Sequence, residues 1–200
     1  MKTLGLTGSI ATGKSTALNA FAALGVPVFS SDEAVHSLYQ GEAVPEVERL
    51  FPGVVHNGTI DRTTLARRLV EQPERLEELE SVVHPLVRQR MKAFLSAAQS
   101  TGAALAVLDV PLLFETGFDY GLDAVAVTIV DEDEQRRRAL ARPGMTPEKL
   151  ETILRRQMPQ SDKVKRADFV IDTSGPVEET AEQIRRIVTA MAELRRDTIH

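Results

Sequence analysis

The apolar positions along this chain change period several times, and each change marks a boundary. Leu4-Gly5-Leu6-Thr7 is a short strand-like run, after which Ala17, Phe21 and Leu24 recur at helical spacing as far as Gly25. A glycine there can take the left-handed conformation that ends a helix at little steric cost. Val26-Pro27-Val28-Phe29 predicts a second strand, running into Ser30-Ser31-Asp32, where the serines can cap the next helix. From Asp32 to about Ser100 the period is almost wholly helical. Ala34, Val35 and Leu38 mark one stripe, Val47, Leu50 and Phe51 a second, and Leu65 with Leu69 a third behind a capping Asp61. Leu76, Leu79 and Val83 mark a fourth stripe, and Val87, Met91, Phe94, Leu95 and Ala98 a fifth, with a break at His84-Pro85. Pro52-Gly53 and Asn57-Gly58 add turns.

The pattern then returns to strands. Residues 104–110 and 124–130 are continuous apolar runs of the kind buried on both faces of a parallel sheet, and Phe169-Val170-Ile171-Asp172 predicts a fifth strand. Helical stretches over 134–142 and 147–157 lie between them, divided by Pro143-Gly144, with Thr146 as an N-cap. A last helix carries Val177, Ala181, Ile184, Val188 and Met191 on one face. Strands alternating with helices predict an α/β fold, three layers around a five-stranded, doubly wound parallel sheet. The expected layout is a single unit over 1–200, with a core of 1–31, 101–133 and 167–200, a helical insertion at 32–100 and a short lid at 134–166.

Composition narrows the chemistry. At 200 residues, 42% hydrophobic and 26% charged, the chain reads as one soluble globular unit; no apolar run is long enough to span a bilayer, and no secretory leader precedes the first strand. A cytoplasmic protein without a membrane partner is expected. The absence of cysteine excludes disulfides, thiolate metal sites and thiol nucleophiles, and His36, His56, His84 and His200 show no metal-ligand spacing. A net charge of −5 and only 4% aromatic residues argue against a nucleic-acid partner. Locally the balance reverses: between Arg136 and Arg166 ten Lys or Arg stand against three acids, so an anion is expected to dock there.

The sharpest signal is Gly8-Ser9-Ile10-Ala11-Thr12-Gly13-Lys14-Ser15-Thr16, which fits the phosphate-loop spacing and sits between a strand and a helix. Its glycines turn successive N–H groups inward as a nest for polyphosphate, and the helix directs its positive end to the same place. ATP is the expected guest, with backbone and side-chain contacts from Gly8, Ala11, Thr12, Gly13 and Lys14. Lys14 reaches the β- and γ-phosphates, Ser15 ligates a bridging Mg²⁺, and Thr16 adds an α-phosphate contact. Asp32, read as lying at a strand's carboxyl end, should face those phosphates. A guanine-reading Asn-Lys-x-Asp is missing, since Asn19 and Asn57 are not followed by Lys, so a GTP switch is set aside. A mechanical ATPase is disfavoured by size and charge, although Asp109 could serve as its acid. A small-molecule kinase fits best: the insertion binds the acceptor, Asp32 takes the hydroxyl proton or orients Mg²⁺, and lid arginines neutralise developing charge. Arg138 and Arg142 share one face at i, i+4 and take the lid role, whereas Arg136 and Arg137 read as a solvated face. Adenine recognition is placed at Asp172-Thr173-Ser174-Gly175, with Ser174 and Gly175 as contacts.

Nearly end to end the chain resembles the dephospho-CoA kinases. The resemblance is carried by Leu4 to Thr16, Asp32, Gly58-Thr59-Ile60-Asp61-Arg62, His84-Pro85-Leu86, Asp109-Val110-Pro111-Leu112-Leu113-Phe114-Glu115, Gln135-x-x-Arg138-x-x-x-Arg142, Gln157, Lys163 and Ala167-Asp168. It implies transfer of the ATP γ-phosphoryl group to the ribose 3′-hydroxyl of dephospho-CoA, the last step of coenzyme A synthesis. It also implies Asp32, His84, Leu113 and Glu115 as acceptor contacts and Ser15 with Asp32 at Mg²⁺, in a monomer or weak homo-oligomer. The alternative is another small-metabolite kinase of the same fold, for a nucleoside monophosphate or a sugar acid. Two departures stand out: Ser9 and Ala11-Thr12 where the family commonly has Gly and Gly-Ser, and Ser30-Ser31-Asp32 where it often has Asp-Ala-Asp. Bland readings stay open for Asp32 as a helix-starting acid, Asp109 as a strand-end acid, His84 as a buried hydrogen-bonded imidazole and Glu115 as a turn residue or an acid near Mg²⁺.

Overall fold

The computed structural model describes residues 1–194, which form two compact units, one from residues 1–29 with the described part of 98–200 and the other from Ser30–Ala97. His200 and the end of the expected core segment lie outside the described residues. The chain opens with β1 (Lys2–Gly8), α1 (Lys14–Ala23) and β2 (Val28–Ser30). Ala17, Leu18 and Phe21 bury one face of α1, and Gly25 at φ 75° turns the chain away. Leu24, expected on the same stripe, is 42% exposed because it stands past the last helical turn.

The second unit runs through α2 (Ser31–Leu38), α3 (Val44–Leu50), β3 (Val55–His56), β4 (Thr59–Ile60), α4 (Arg62–Glu71) and α5 (Leu76–Ser100). Its caps follow the sequence: Ser30 Oγ accepts the Glu33 N–H at 3.2 Å, and Asp61 Oδ1 accepts the Thr63 N–H at 2.9 Å. The segment is not wholly helical. Asn57 at φ 51° and Gly58 at φ 78° make a two-residue turn whose handedness suits a hairpin, and it pairs Val55 with Ile60 and His56 with Thr59. Leu38, Val47, Phe51, Val54, Ile60, Leu65, Leu79 and Val83 close into this unit's own core.

The break expected at His84-Pro85 does not occur: α5 continues through Pro85, joining two stripes into one helix. A proline inside a helix costs about 3 kcal/mol, but each fully buried aliphatic side chain returns about 1.5–3 kcal/mol. Leu79 and Val83 are each 6% exposed, and Leu86 and Val87 pack beside them, so packing outweighs the missing N–H. Pro85 itself is exposed. Pro85→Ala is therefore expected to stabilise the protein by about 1–3 kcal/mol, read as a higher urea midpoint at unchanged m-value.

The chain returns to the first unit with β5 (Leu105–Asp109), α6 (Leu113–Thr116), β6 (Ala124–Ile129), α7 (Glu132–Leu140), α8 (Pro147–Arg156), α9 (Gln160–Val164), β7 (Phe169–Asp172) and α10 (Val177–Glu193). The five-stranded sheet has the order β2-β5-β1-β6-β7, and β1 lies parallel to both β5 and β6, with Leu4 opposite Val107 and Ala124. β6 and β7 are also parallel. Leu4, Leu6, Val107, Ala126 and Ile171 of the sheet pack with Phe21 of α1 and Ile184 and Met191 of α10. The buried stripe of α10 is Thr180, Ile184, Ile187 and Met191; Val177 is 60% exposed, since it sits in a first turn that rises from an exposed loop. α7 starts two residues before the expected boundary because Asp131 caps it, accepting the Asp133 N–H at 2.9 Å. Among the described residues no helix is long and apolar enough to cross a membrane.

Candidate active site

At the heart of the first unit the chain leaves β1 at Gly8 and enters α1 at Lys14, and side chains around that loop dictate its path. A Cβ on Gly8 would stand 2.1 Å from Thr128 Oγ1 and 2.6 Å from Thr12 Oγ1, so only glycine fits. Gly13, at φ 77°, caps α1, and a Cβ there would meet Thr173 at 2.7 Å. Thr12 Oγ1 donates to the Ser9 carbonyl at 2.8 Å and lies 2.7 Å from Thr128 Oγ1, while Thr173 Oγ1 donates to the Thr12 carbonyl at 3.0 Å. Gly8→Ala is expected to cost about 1–3 kcal/mol by overpacking and to weaken ATP binding, both readable by denaturation and calorimetric titration.

Ala11 adopts φ 62° where glycine is the cheap choice. An alanine there carries about 1–2 kcal/mol of steric cost. Its methyl offsets part of that cost by packing in a buried cluster with Ala139 and Leu150, with Ile10, Met145 and Leu154 beside it. The nest therefore tolerates a side chain at Ala11 because α7 and α8 cover it.

Lys14 forms an ion pair with Asp109, the last residue of β5, and the two side chains are 16% and 7% exposed. Register explains the meeting, because Asp109 lies opposite Leu6 on the neighbouring strand, two residues before the loop opens. Asp109 thus holds the ammonium at the mouth of the nest rather than serving as an idle strand-end acid. Ser15 is exposed on the first turn of α1, and Thr16 is half-buried behind it. Among the described residues no group of three or more His, Cys, Asp or Glu gathers as a metal cage. That fits a Mg²⁺ held mainly by phosphates and water with one or two hard protein oxygens, which Ser15 and a carboxylate can supply.

The lid arginines part company. Arg138 Nε donates to Glu134 Oε1 at 2.7 Å, and its two terminal nitrogens donate to Thr173 Oγ1 at 3.1 Å and the Thr173 carbonyl at 2.8 Å. It is thereby fixed beside the threonine that braces the phosphate loop. Arg142 is exposed, beyond the end of α7 at Leu140. The Arg137 guanidinium, followed by that of Arg138, holds the Glu134 carboxyl down at about 2. A carboxylate with a depressed folded-state pKa keeps its contribution above the ordinary range and loses it only as pH falls through that low value. Glu134 is therefore expected to add no limb to a kcat profile between about pH 5 and 9, and Glu134→Gln should leave the shape of that profile unchanged.

Much of the local positive charge is already paired. Arg136 bonds Glu151, Arg137 and Arg138 share Glu134, and Lys165 pairs with Asp162 at 2.8 Å. Arg142, Arg155 and Arg156 stay exposed. Lys163, fully buried, lies 2.9 Å from Glu115 Oε1 as a charge contact without hydrogen-bond alignment, and the Met158 N–H donates to that same oxygen at 2.8 Å. Burial pushes the Glu115 carboxyl up, but Lys163 and the Met158 N–H outweigh it, and the net shift is downward. Glu115 is therefore more than a turn residue: it ties α6 to α9 and to Met158 ahead of it.

The first unit brings the loop residues Gly8 to Thr16 together with Asp109, Arg138 and Thr173, and Thr173 is followed by Ser174 and Gly175. Ser174 Oγ accepts the Asp131 N–H at 3.2 Å, at the start of α7. Leu113 is buried at the start of α6, its Cδ2 3.4 Å from where a Cβ on Gly5 would lie. Asp32 and His84 belong to the second unit, where Asp32 is exposed on the first turn of α2 rather than at the strand end, and His84 is exposed on α5 rather than buried. Thr128 escaped the sequence reading, and Thr173, named only within the adenine segment, was not read as a brace of the loop. A hydroxyl inside or just after an otherwise apolar strand was their only signal.

Known proteins resemble the chain over nearly all of this layout. A dephospho-CoA kinase of Brucella abortus is 52% identical over 96% of each chain. A solved structure from Thermus thermophilus superposes with a TM-score of 0.82 at 36% identity, covering 97% of this chain and 98% of that one. A dephospho-CoA kinase structure from Campylobacter jejuni shares the fold, with a TM-score of 0.72 at 24% identity over 96% and 98% of the two chains. The model of the dephospho-CoA kinase family matches residues 2–179, a span that holds the phosphate loop, Asp109 and both lid arginines, and the chain belongs to that family.

Proposed function

We propose that this chain transfers the γ-phosphoryl group of ATP to the ribose 3′-hydroxyl of dephospho-CoA, giving CoA and ADP. The observation that carries the reading is the family match over residues 2–179, which takes in both the loop and the helical insertion. Backbone N–H groups of Ala11, Gly13 and Lys14 cradle the β- and γ-phosphates, and Lys14 leaves Asp109 to bind them as a point charge. Ser15 and Asp32 would hold a Mg²⁺, which would supply neutralisation of phosphate charge. Asp32 accepts the 3′-hydroxyl proton as the O3′–P bond forms and the bond from Pγ to the β-bridging oxygen breaks, with ADP leaving. His84, Leu113 and Glu115 line the acceptor side, and Ser174 with Gly175 meet the adenine. Arg138 supplies a fixed positive charge and Arg142 a mobile one. On this reading the enzyme works in the cytoplasm as a monomer or weak homo-oligomer, with small-molecule partners alone.

The test is ADP formation with ATP and MgCl₂ against dephospho-CoA, AMP, CMP and gluconate. The expected kcat/KM for dephospho-CoA exceeds each of the others by at least about 10²-fold. Comparable turnover of AMP or gluconate would move the chain to the alternative kinases, and activity that survives chelation of Mg²⁺ would remove the metal from the scheme.

A further inference from the structure

Ile10 is gripped from both sides. Its N–H donates to Gln157 Oε1 at 2.9 Å, and its carbonyl accepts from Gln135 Nε2 at 2.7 Å. These two bonds fix the peptide planes before and after Ile10, and the second plane leads directly into Ala11 at φ 62°. The glutamines belong to the lid: Gln135 lies in α7, and Gln157 follows the end of α8. Gln160 settles which way the Gln135 amide faces, because its Nε2 donates to Gln135 Oε1 at 3.1 Å, leaving the Gln135 nitrogen toward Ile10. Gln160 is itself fastened to both backbone groups of Val130, at 2.9 Å and 3.1 Å. A continuous chain of hydrogen bonds therefore runs from the end of β6 through two lid glutamines to the phosphate loop. Gln135 is only 5% exposed, so its bonds are shielded from competing water.

A left-handed alanine persists only where its surroundings over-determine it. The grip on Ile10, with the packing of Ala11 against Ala139 and Leu150, supplies that constraint. The Ile10 N–H is spent on Gln157 and the Thr12 N–H on the Ser9 carbonyl at 3.3 Å, so the nest draws on the other N–H groups of the loop.

We propose that Gln135 and Gln157 are positioning residues for phosphoryl transfer: they hold the loop in its anion-binding shape and tie it to α7, the helix that carries Arg138 and precedes Arg142. The proposal rests on the kinase reading above. Neither glutamine touches the reacting atoms; both act through the backbone of Ile10.

The test uses the full-length protein, with steady-state kinetics on ATP and dephospho-CoA and hydrogen exchange at the Ile10 amide. Gln157→Leu is expected to lower kcat about 10- to 100-fold, more than it raises KM for ATP, since small misplacements at a transfer site are costly in rate. Exchange at the Ile10 amide should quicken by at least about 10-fold. Gln157→Glu keeps an acceptor for the Ile10 N–H and should recover most of the rate, with its added negative charge appearing in KM for ATP. Should Gln157→Leu fail to fold, Gln135→Met removes the donor to the Ile10 carbonyl, and the same fall in kcat is required of it. A kcat within about threefold of the parent, unchanged Ile10 exchange, or a Gln157→Glu variant as slow as Gln157→Leu would overturn the proposal. If the parent transfers nothing to dephospho-CoA, the kinase reading falls, and Ile10 exchange in the parent and in Gln157→Leu still decides whether the grip exists.

Discussion

Replacing Asp32 by Asn is expected to lower kcat by about 10²- to 10⁴-fold while the dissociation constant of ATP stays within about threefold of the parent. Asparagine keeps the size of the side chain and loses the basic oxygen, so the acceptor hydroxyl has nowhere to send its proton. The fold should not notice: Asp32 is exposed on the first turn of α2, and the unit's core is built from residues such as Leu38, Val47 and Val83. An acid in a first turn interacts with the helix dipole for about 0.3–1 kcal/mol, so a purely helix-starting role predicts a small stability loss and an unchanged rate. The two outcomes are far apart. Single-turnover phosphoryl transfer alongside equilibrium ATP binding separates them, and near-parent turnover in Asp32→Asn would remove Asp32 from the chemistry.

The fold was legible where the period of the pattern and the turn chemistry agreed. Apolar runs at 104–110 and 124–130 became β5 and β6, and Thr146 caps α8 with its hydroxyl oxygen on the Lys149 N–H. Legibility failed where tertiary packing overrode a local signal. Pro85 reads as a break in isolation, but Leu79, Val83, Leu86 and Val87 bury enough surface to carry the helix through it. Asn57-Gly58 was visible as a turn, yet its strands are only two residues each, too short for alternation to register.

Within the site the residues of the loop could be named from spacing alone, because a phosphate nest is a local backbone device. Its supports could not. Thr128 and Thr173 reach the loop from strands far away in sequence, and Lys14 meets Asp109 only through strand register. The charge surplus in the lid overstated the free cations, because Glu134, two residues before Arg136, takes up Arg137 and Arg138, and Glu115, far earlier in the chain, meets Lys163. Sequence distance hid Thr128, Thr173, Asp109 and Glu115, whereas Glu134 is a helical neighbour of its arginines that a slightly wider window shows.

Arg142→Ala is expected to be the most damaging lid substitution, slowing transfer by about 10³- to 10⁵-fold, the range a single arginine commands when it arrives over a transferring phosphoryl group. The two lid arginines differ in what they are free to do. Arg138 already spends all three guanidinium nitrogens on Glu134 and Thr173, so it offers a fixed field that ATP meets on binding. A charge that is equally present before and during transfer favours ground state and transition state alike, and its loss belongs mainly in KM. Arg142 is exposed past the end of α7, and on the proposed reading it closes on the γ-phosphoryl as charge develops. Its contribution is then confined to the transition state, and kcat should fall with little change in ATP affinity. Arg138→Ala should raise KM for ATP and, by removing the two donors to Thr173, loosen the brace there. The decisive measurement is the division of effect between kcat and KM in the two variants. A loss confined to KM in Arg142→Ala would contradict its mobile role, and a loss confined to kcat in Arg138→Ala would exchange the two assignments.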